Sequence, residues 1–137
     1  MRYKRIGETI AVALTSGDEV IESLKKICVA EKIESGIISG IGATNSAEIG
    51  LLNGDKRTYT KRTIEEDIEI SNLTGNITNK DGEVYVHLHA TLTSIDKAYG
   101  GHVFMCRISA VADIFIDILP TKISREIRED GTVPMSL

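Results

Sequence analysis

Apolar residues recur at helical spacing in only one segment of this 137-residue chain, and alternating or short apolar runs follow it almost to the end. Gly17-Asp18 offers a turn with Asp18 as the N-cap, and the predicted helix runs from there to about Lys32–Gly36. Its apolar stripe consists of Val20, Ile21, Leu24, Ile27 and Cys28. Residues 6–15, before the helix, are β-prone. One helix with many strands predicts an α+β fold, in which the helix packs on a mostly antiparallel, strongly curved β-sheet.

The predicted strands after the helix are separated by turn-forming residues and are rich in Ile, Val and Thr. They are residues 37–42, 47–52, 57–64, 67–73, 84–93, 102–108 and 110–119, and the segment 76–82 carries a turn at Asn79-Lys80-Asp81-Gly82. No segment rich in Pro, Gly or Ser divides the chain, and its length is typical of one domain. We therefore expect a single domain over residues 1–137.

The net charge, the lack of a long apolar run and the two cysteines limit the kinds of function that this protein can have. Sixteen Lys and Arg residues against twenty Asp and Glu residues give a net charge of −4 and a pI near 5.4, which opposes binding to polyanions. No apolar run approaches the ~20 residues of a membrane span, and no signal-peptide pattern opens the chain, so a cytoplasmic protein without a membrane partner is expected. Cys28 and Cys106 lack metal-site spacing, and their apolar neighbours predict reduced core thiols.

All three histidines of the chain fall in the segment VHLHATLTSIDKAYGGHVF. His87 and His89 are two residues apart on a predicted strand, so their side chains share one face, opposite a uniformly apolar face. A hairpin whose turn is centred between Ile95 and Asp96 places His102 directly opposite His89. Cβ atoms of opposed residues are roughly 4.5–5.5 Å apart. The three imidazoles are therefore predicted to converge on one point.

Imidazole nitrogen is a preferred ligand for zinc and other late divalent metals. Three protein ligands leave one coordination position for water or substrate, which is the pattern of catalytic sites. An ion there would lower the pKa of a bound water and polarise a carbonyl group. The alternative is three polar strand residues that hold no ion. The clustering favours a divalent metal, with zinc in first place, on His87, His89 and His102.

Three further residues are candidates for roles around this cluster. Glu69 alternates with apolar neighbours and faces the polar side of its strand. It can be a fourth ligand, a partner for an imidazole N–H or a general base, and the alternative is a solvated strand glutamate. Gly100 and Gly101 precede His102 and are predicted to let the backbone pass close to the site or adopt positive φ.

One stretch combines basic residues with an aromatic ring: Lys56, Arg57, Lys61 and Arg62 surround Tyr59. Such a stretch can contact an anion or a nucleic-acid backbone. The acidic Glu-Glu-Asp run that follows at once partly neutralises it. A solvated hairpin is therefore the favoured interpretation.

At the stretches SGIISGIGATNSAEIG, IEISNLTGNI and the histidine segment, the chain resembles prokaryotic members of the plants-and-prokaryotes-conserved (PPC) domain family, from about Tyr3 to Leu119. The resemblance implies an α+β homotrimer. It also implies that His87, His89 and His102 occupy the positions of the family's suspected metal ligands, and Glu69 that of its glutamate. At fold level the family is similar to α-acetolactate decarboxylase, a three-histidine zinc enzyme.

Plant members of the family carry the domain after an AT-hook and use it in protein association, and prokaryotic members are often called DNA-binding proteins through that link. This chain has no Arg-Gly-Arg core of an AT-hook. Two hypotheses result. The first is a homotrimeric, metal-binding protein acting on a small carbonyl compound. The alternative is a DNA-binding or regulatory interaction module without enzymatic activity, which the acidic pI disfavours.

Overall fold

The structure, a computed structural model, describes residues 1–137 and contains one helix and nine strands. In chain order these are β1 (Arg2–Ile6), β2 (Thr9–Thr15), α1 (Val20–Glu31), β3 (Gly36–Leu52), β4 (Tyr59–Ile64), β5 (Ile68–Lys80), β6 (Glu83–Thr93), β7 (Ala98–Ile118), β8 (Ser124–Arg125) and β9 (Met135–Ser136). All strand pairs are antiparallel except the short pairing of β5 with β8. The predicted α+β class, with one helix and a mostly antiparallel sheet, is confirmed.

Four of the strands form a closed ring. β3 pairs with β5, β5 with β6, β6 with β7, and β7 returns to pair with β3. A sheet that closes on itself has to curve strongly, as predicted. β2 and β1 extend the sheet beyond β7, and β4 pairs with the second half of β3.

Two pairs of predicted strands are single long strands in the structure. Residues 37–42 and 47–52 both belong to β3, and residues 102–108 and 110–119 to β7, which ends at Ile118. The strand β5, predicted over residues 67–73, continues to Lys80, into the segment that was predicted to carry a turn. The sequence pattern breaks inside β3 and β7 because β-bulges shift the register there, for example between Gly42 and Thr44. A bulge bends a strand without ending it.

The helix begins one residue later than predicted. Glu19, not Asp18, is the N-cap, and its carboxylate accepts a hydrogen bond of 2.7 Å from the Glu22 amide. Asp18 instead pairs with the N-terminal amine of Met1 at 2.7 Å and accepts from the Thr15 amide. The strand β1, which was not predicted, brings the amine there. The helix ends as predicted, with Lys32 in the left-handed conformation.

The core lies between the helix and the inner face of the sheet. Leu24 and Ile27 of α1 are fully buried, and the helix packs against β6 and β7. Cys28 and Cys106 are buried free thiols, as predicted, and desolvation raises their pKa values to about 12 and about 11. The helix has 12 residues and is neither long nor apolar enough to span a membrane.

Candidate metal centre

The strand β6 presents two chemically different faces. Val86, Leu88 and Leu92 point into the core and are buried. His87 and His89 lie between them in sequence, on the outer face, where His87 is half-buried and His89 is exposed. The alternation follows from the two-residue period of a strand and places both imidazoles on one side, as predicted.

The third histidine joins them through the β6–β7 hairpin. His89 pairs directly with His102, and the turn runs from Ser94 to Lys97, with the Ser94 amide donating to the Lys97 carbonyl at 3.0 Å. The predicted register is confirmed. Ring centroids are 5.0 Å apart for His87 and His102, and 5.3 and 5.5 Å apart for the pairs that include His89. One ring nitrogen of each histidine lies within 4.8 Å of the others.

The protonation state of two of the three histidines suits a metal ion. Desolvation, and then the neighbouring His102, Arg125 and His89, lower the pKa of His87 to about 4. Desolvation, followed by charges that include Arg125 and Lys61, lowers the pKa of His102 as well. Both rings are therefore neutral at pH 7, which is the state that ligates a metal.

His102 also carries an unsatisfied nitrogen. Its Nδ1 is the one buried side-chain nitrogen or oxygen of the chain that has no hydrogen-bond partner. Buried polar atoms are nearly always paired, so an orphan at this position is consistent with a ligand. In donor type and mutual distance, the three imidazoles fit a divalent ion of the zinc class.

Next to His102, the backbone of β7 passes unusually close to that of β3. A Cβ atom on Gly101 would lie 2.6 Å from the carbonyl oxygen of Gly50, so β7 and β3 can approach here only because residue 101 has no side chain. A Cβ on Gly50 would meet the ring of Phe104 at 2.7 Å. The space is taken by aromatic rings, since Tyr59 and Phe104 lie 5.3 and 4.7 Å from the His102 ring. Gly100 has no comparable contact, because the nearest atom to its Cβ position is 3.5 Å away.

Glu69 lies on the same face of the sheet but outside the cluster. It pairs with Thr93, which is four residues along β6 from His89, a distance of about 13 Å at the rise of a strand. Its side chain is exposed. The structure therefore does not bring Glu69 to the three imidazoles of its own chain.

The basic stretch is largely occupied by contacts within the chain. Lys56 pairs with Asp130 at 3.2 Å, and Lys61 pairs with Glu48 at 2.7 Å and lies over the Phe104 ring. Two further contacts complete the set: Arg57 donates to the Glu129 carbonyl, and Arg62 lies over the Tyr99 ring. Two of the four cations are thus already paired with carboxylates.

Residues 1–120 match the family model of the Plants and Prokaryotes Conserved domain, abbreviated PCC or PPC. The chain belongs to this family. The solved structures similar to this PPC-domain chain cover nearly its whole length, and the resemblance seen in the sequence is thereby confirmed. No curated protein matches it.

Three of these solved structures are informative. A protein from Bacteroides thetaiotaomicron, described as a "putative DNA binding protein", has 32% identity and a TM-score of 0.93 over 98% of this chain and 96% of its own. A PPC protein from Pyrococcus horikoshii has 30% identity and a TM-score of 0.88, covering 99% and 95%. A protein from Archaeoglobus fulgidus, described as metal-containing, has 26% identity and a TM-score of 0.85, covering 97% and 96%.

Arg125, which the sequence analysis missed, also reaches the cluster of this PPC-domain chain. It follows the family match, which ends at residue 120, and lies in a segment with no periodicity or motif that could have drawn attention to it. Its Nη2 donates to Nδ1 of His87 at 3.2 Å and to the Asn76 side chain at 2.8 Å. Its Nε donates to the hydroxyl of the buried Thr78. The guanidinium lies 5.2 Å from the Tyr85 ring.

Proposed function

We propose that this PPC-domain protein binds a divalent metal ion, zinc in first place, through His87, His89 and His102. The observation that carries the proposal is the direct pairing of His89 with His102, which gathers three imidazole rings within 5.5 Å of one another. The metal-containing relative from Archaeoglobus fulgidus supports it. Because Glu69 pairs with Thr93, about 13 Å along β6 from His89, the metal-holding role rests on the histidines alone.

A bound ion would supply Lewis-acid chemistry toward a carbonyl group or a water molecule. The chain's own residues contribute the rest of the site. Three imidazoles hold the centre, while Tyr59 and Phe104 shield His102 on one side. The proposed ligand is accordingly a small carbonyl compound.

We also propose that the protein assembles as a homotrimer, as its resemblance to the family implies. One stripe of the outer sheet face supports assembly, because large apolar side chains on β3 and β7 are exposed there. They are Ile37 (51% exposed), Ile41 (60%), Val111 (58%) and Phe115 (49%). Exposed apolar side chains grouped in this way mark association surfaces, and the exposed Asp113 and Asp117 lie among them.

Metal analysis tests the metal proposal. Protein purified without chelator or a histidine tag is expected to hold about one ion per chain after zinc is added. His89→Ala should abolish uptake, whereas Thr91→Ala, which changes an exposed residue of the same face two positions away, should leave it unchanged. Less than about a tenth of an ion per chain in the wild type would refute the proposal.

The second candidate is a DNA-associated or regulatory interaction module. It is favoured by the description of the relative from Bacteroides thetaiotaomicron, and the comparisons support it better than they support any enzymatic role. DNA binding through the basic stretch should weaken as salt rises. It should also weaken when Lys56, Arg57, Lys61 and Arg62 are changed to Gln, but not when Lys25 and Lys26 of the helix are. A gel shift without retention at low salt would exclude this candidate.

A further inference from the structure

We infer that the cluster takes a small organic anion, whose carboxylate group is bound by Arg125. The inference rests on the proposed metal function and adds the chemical class of the ligand. Arg125 stands outside the family match, and its contact with His87 is the observation from which the argument starts.

The charge of Arg125 is uncompensated. All four of its hydrogen-bond acceptors are neutral: the side chains of Thr78, Asn76 and His87 and the carbonyl of Val133. No carboxylate pairs with it, and the side chain is half-buried. The other cation near the cluster, Lys61, already has Glu48 as its partner. A half-buried guanidinium without an acid is a strong site for an oxyanion.

The tautomer of His87 links this charge to the metal proposal. A guanidinium only donates, so Nδ1 of His87 has to accept, and the proton of the neutral ring sits on Nε2. Binding of an ion to either ring nitrogen of His87 breaks its hydrogen bond with Arg125. An ion on Nε2 leaves the ring proton on Nδ1, and an ion on Nδ1 uses the lone pair that accepted the bond. One N–H of Arg125 loses its acceptor on His87, while the positive charge of the site increases. An anion satisfies the freed donor and offsets the charge.

The surroundings favour an organic carboxylate over a bare inorganic ion. Tyr85, which lies beside Arg125, and His102 both line a cavity of about 450 Å³, together with Val86, Val103 and Phe104. Its volume is in the range of small-molecule pockets. Arg125 itself is not part of the lining, which also contains Glu19, Glu22 and Lys25. The two glutamates disfavour an anionic group inside the cavity, so the carboxylate of the ligand belongs at Arg125 and its apolar body against Tyr85 and the apolar lining.

Benzoate and benzamide form a suitable pair of probes, since they have the same shape and differ in charge. We expect the zinc-loaded protein to bind benzoate at least tenfold more tightly than benzamide, measured by calorimetry. Arg125→Gln should reduce that ratio to about twofold or less. Arg128→Gln removes the same charge from the same segment without touching the cluster and should leave the ratio unchanged. Arg125→Lys keeps the charge but not the planar fork, and should give an intermediate ratio. Melting temperatures show whether each variant remains folded.

The outcomes separate the two proposals. If the wild type binds zinc but does not distinguish benzoate from benzamide, or if Arg125→Gln and Arg128→Gln behave alike, the anion inference is wrong and the metal proposal stands. If inorganic phosphate binds more tightly than benzoate, the carboxylate assignment is wrong. If zinc does not bind, the metal proposal fails first and the inference fails with it.

Discussion

Arg125 lies with its Nη2 atom 3.2 Å from Nδ1 of His87, although 38 residues separate the two along the chain. The contact makes the C-terminal segment part of the surroundings of the histidine cluster. It also assigns the tautomer of His87, because the guanidinium cannot accept a hydrogen bond. Arg125 and a metal ion therefore compete for the lone pair of His87.

Removing this competitor should strengthen metal binding. Arg125→Gln removes the positive charge near His87 and weakens the hydrogen bond that its Nδ1 accepts. Hydrogen bonds to charged groups contribute about 1.5–3 kcal/mol, and an ion no longer has to displace one. We expect the zinc affinity to rise about tenfold, as measured by competition with a chromophoric chelator. Arg128→Gln serves as the control and should not change the affinity. An affinity that stays constant or falls in Arg125→Gln would show that Arg125 supports the site rather than competes for it.

Substitution of two adjacent residues of β6, Leu88 and His89, should affect different properties: stability in the first case and metal uptake in the second. Leu88 is fully buried, so Leu88→Ala should lower the free energy of unfolding by about 2–5 kcal/mol. His89 is exposed, and His89→Ala should change that free energy by no more than about 0.5 kcal/mol while removing metal uptake. Urea denaturation of the metal-free proteins measures both. Equal destabilisation by the two substitutions would mean that His89 has a packing role.

The two consecutive glycines before His102 should differ in their tolerance of a methyl group. In Gly101→Ala the new Cβ would lie 2.6 Å from a backbone oxygen, which has little freedom to move, so the substitution should destabilise the fold by about 1–3 kcal/mol. In Gly100→Ala the nearest atom is at an ordinary contact distance of 3.5 Å, and the change should stay within about 0.5 kcal/mol. Thermal melting compares them directly. A Gly101→Ala protein as stable as the wild type would contradict the close approach of β7 and β3.

The metal-free protein should lose stability in mild acid. The pKa of His87 is lowered from 6.5 to about 4 in the folded state, chiefly by desolvation, so between these values the unfolded chain binds a proton that the folded chain does not. Its stability is therefore full above about pH 6.5 and falls as the pH drops toward 4. Because the ring is only half-buried, solvent screening keeps the slope well below the limit of about 1.4 kcal/mol per pH unit for one group. Urea denaturation from pH 7 to 4.5 in the presence of a chelator measures the slope. His87→Asn keeps an acceptor for Arg125 but has no titrating ring, so its unfolding free energy should depend less steeply on pH. Equal slopes for the two proteins would contradict the lowered pKa of His87.

The histidine geometry could be predicted from the sequence because it depends on local rules. The two-residue period of a strand puts His87 beside His89, and a short turn sets the register that brings in His102. The helix was equally accessible, since its stripe of apolar residues lies within one segment. Its N-cap was misassigned by one residue because Asp18 is engaged by the N-terminal amine, a contact made through β1.

The features that could not be predicted from the sequence depend on contacts between distant parts of the chain. The bulges inside β3 and β7 are defined only by the pairing of these strands with their partners, so the local sequence pattern at the bulges resembles strand ends. The position of Arg125 depends on the pairing of β8 with β5 and on the buried hydroxyl of Thr78, 47 residues earlier. The distance of Glu69 from the cluster likewise follows from register along a 13-residue strand, not from its alternation with apolar neighbours.

The length of β7 has a consequence for how the chain folds. One part of this 21-residue strand pairs with the adjacent β6, while its far end pairs with β2, as in the hydrogen bond from Thr9 to Asp117 across 108 positions. Contacts of such high sequence separation slow folding. On the ribosome, the hairpin that carries the histidines can pair soon after it emerges, whereas the closed ring of β3, β5, β6 and β7 can form only when almost the entire chain has been made. A polypeptide released before residue 118 would expose the unpaired edge of β2 and be prone to aggregate.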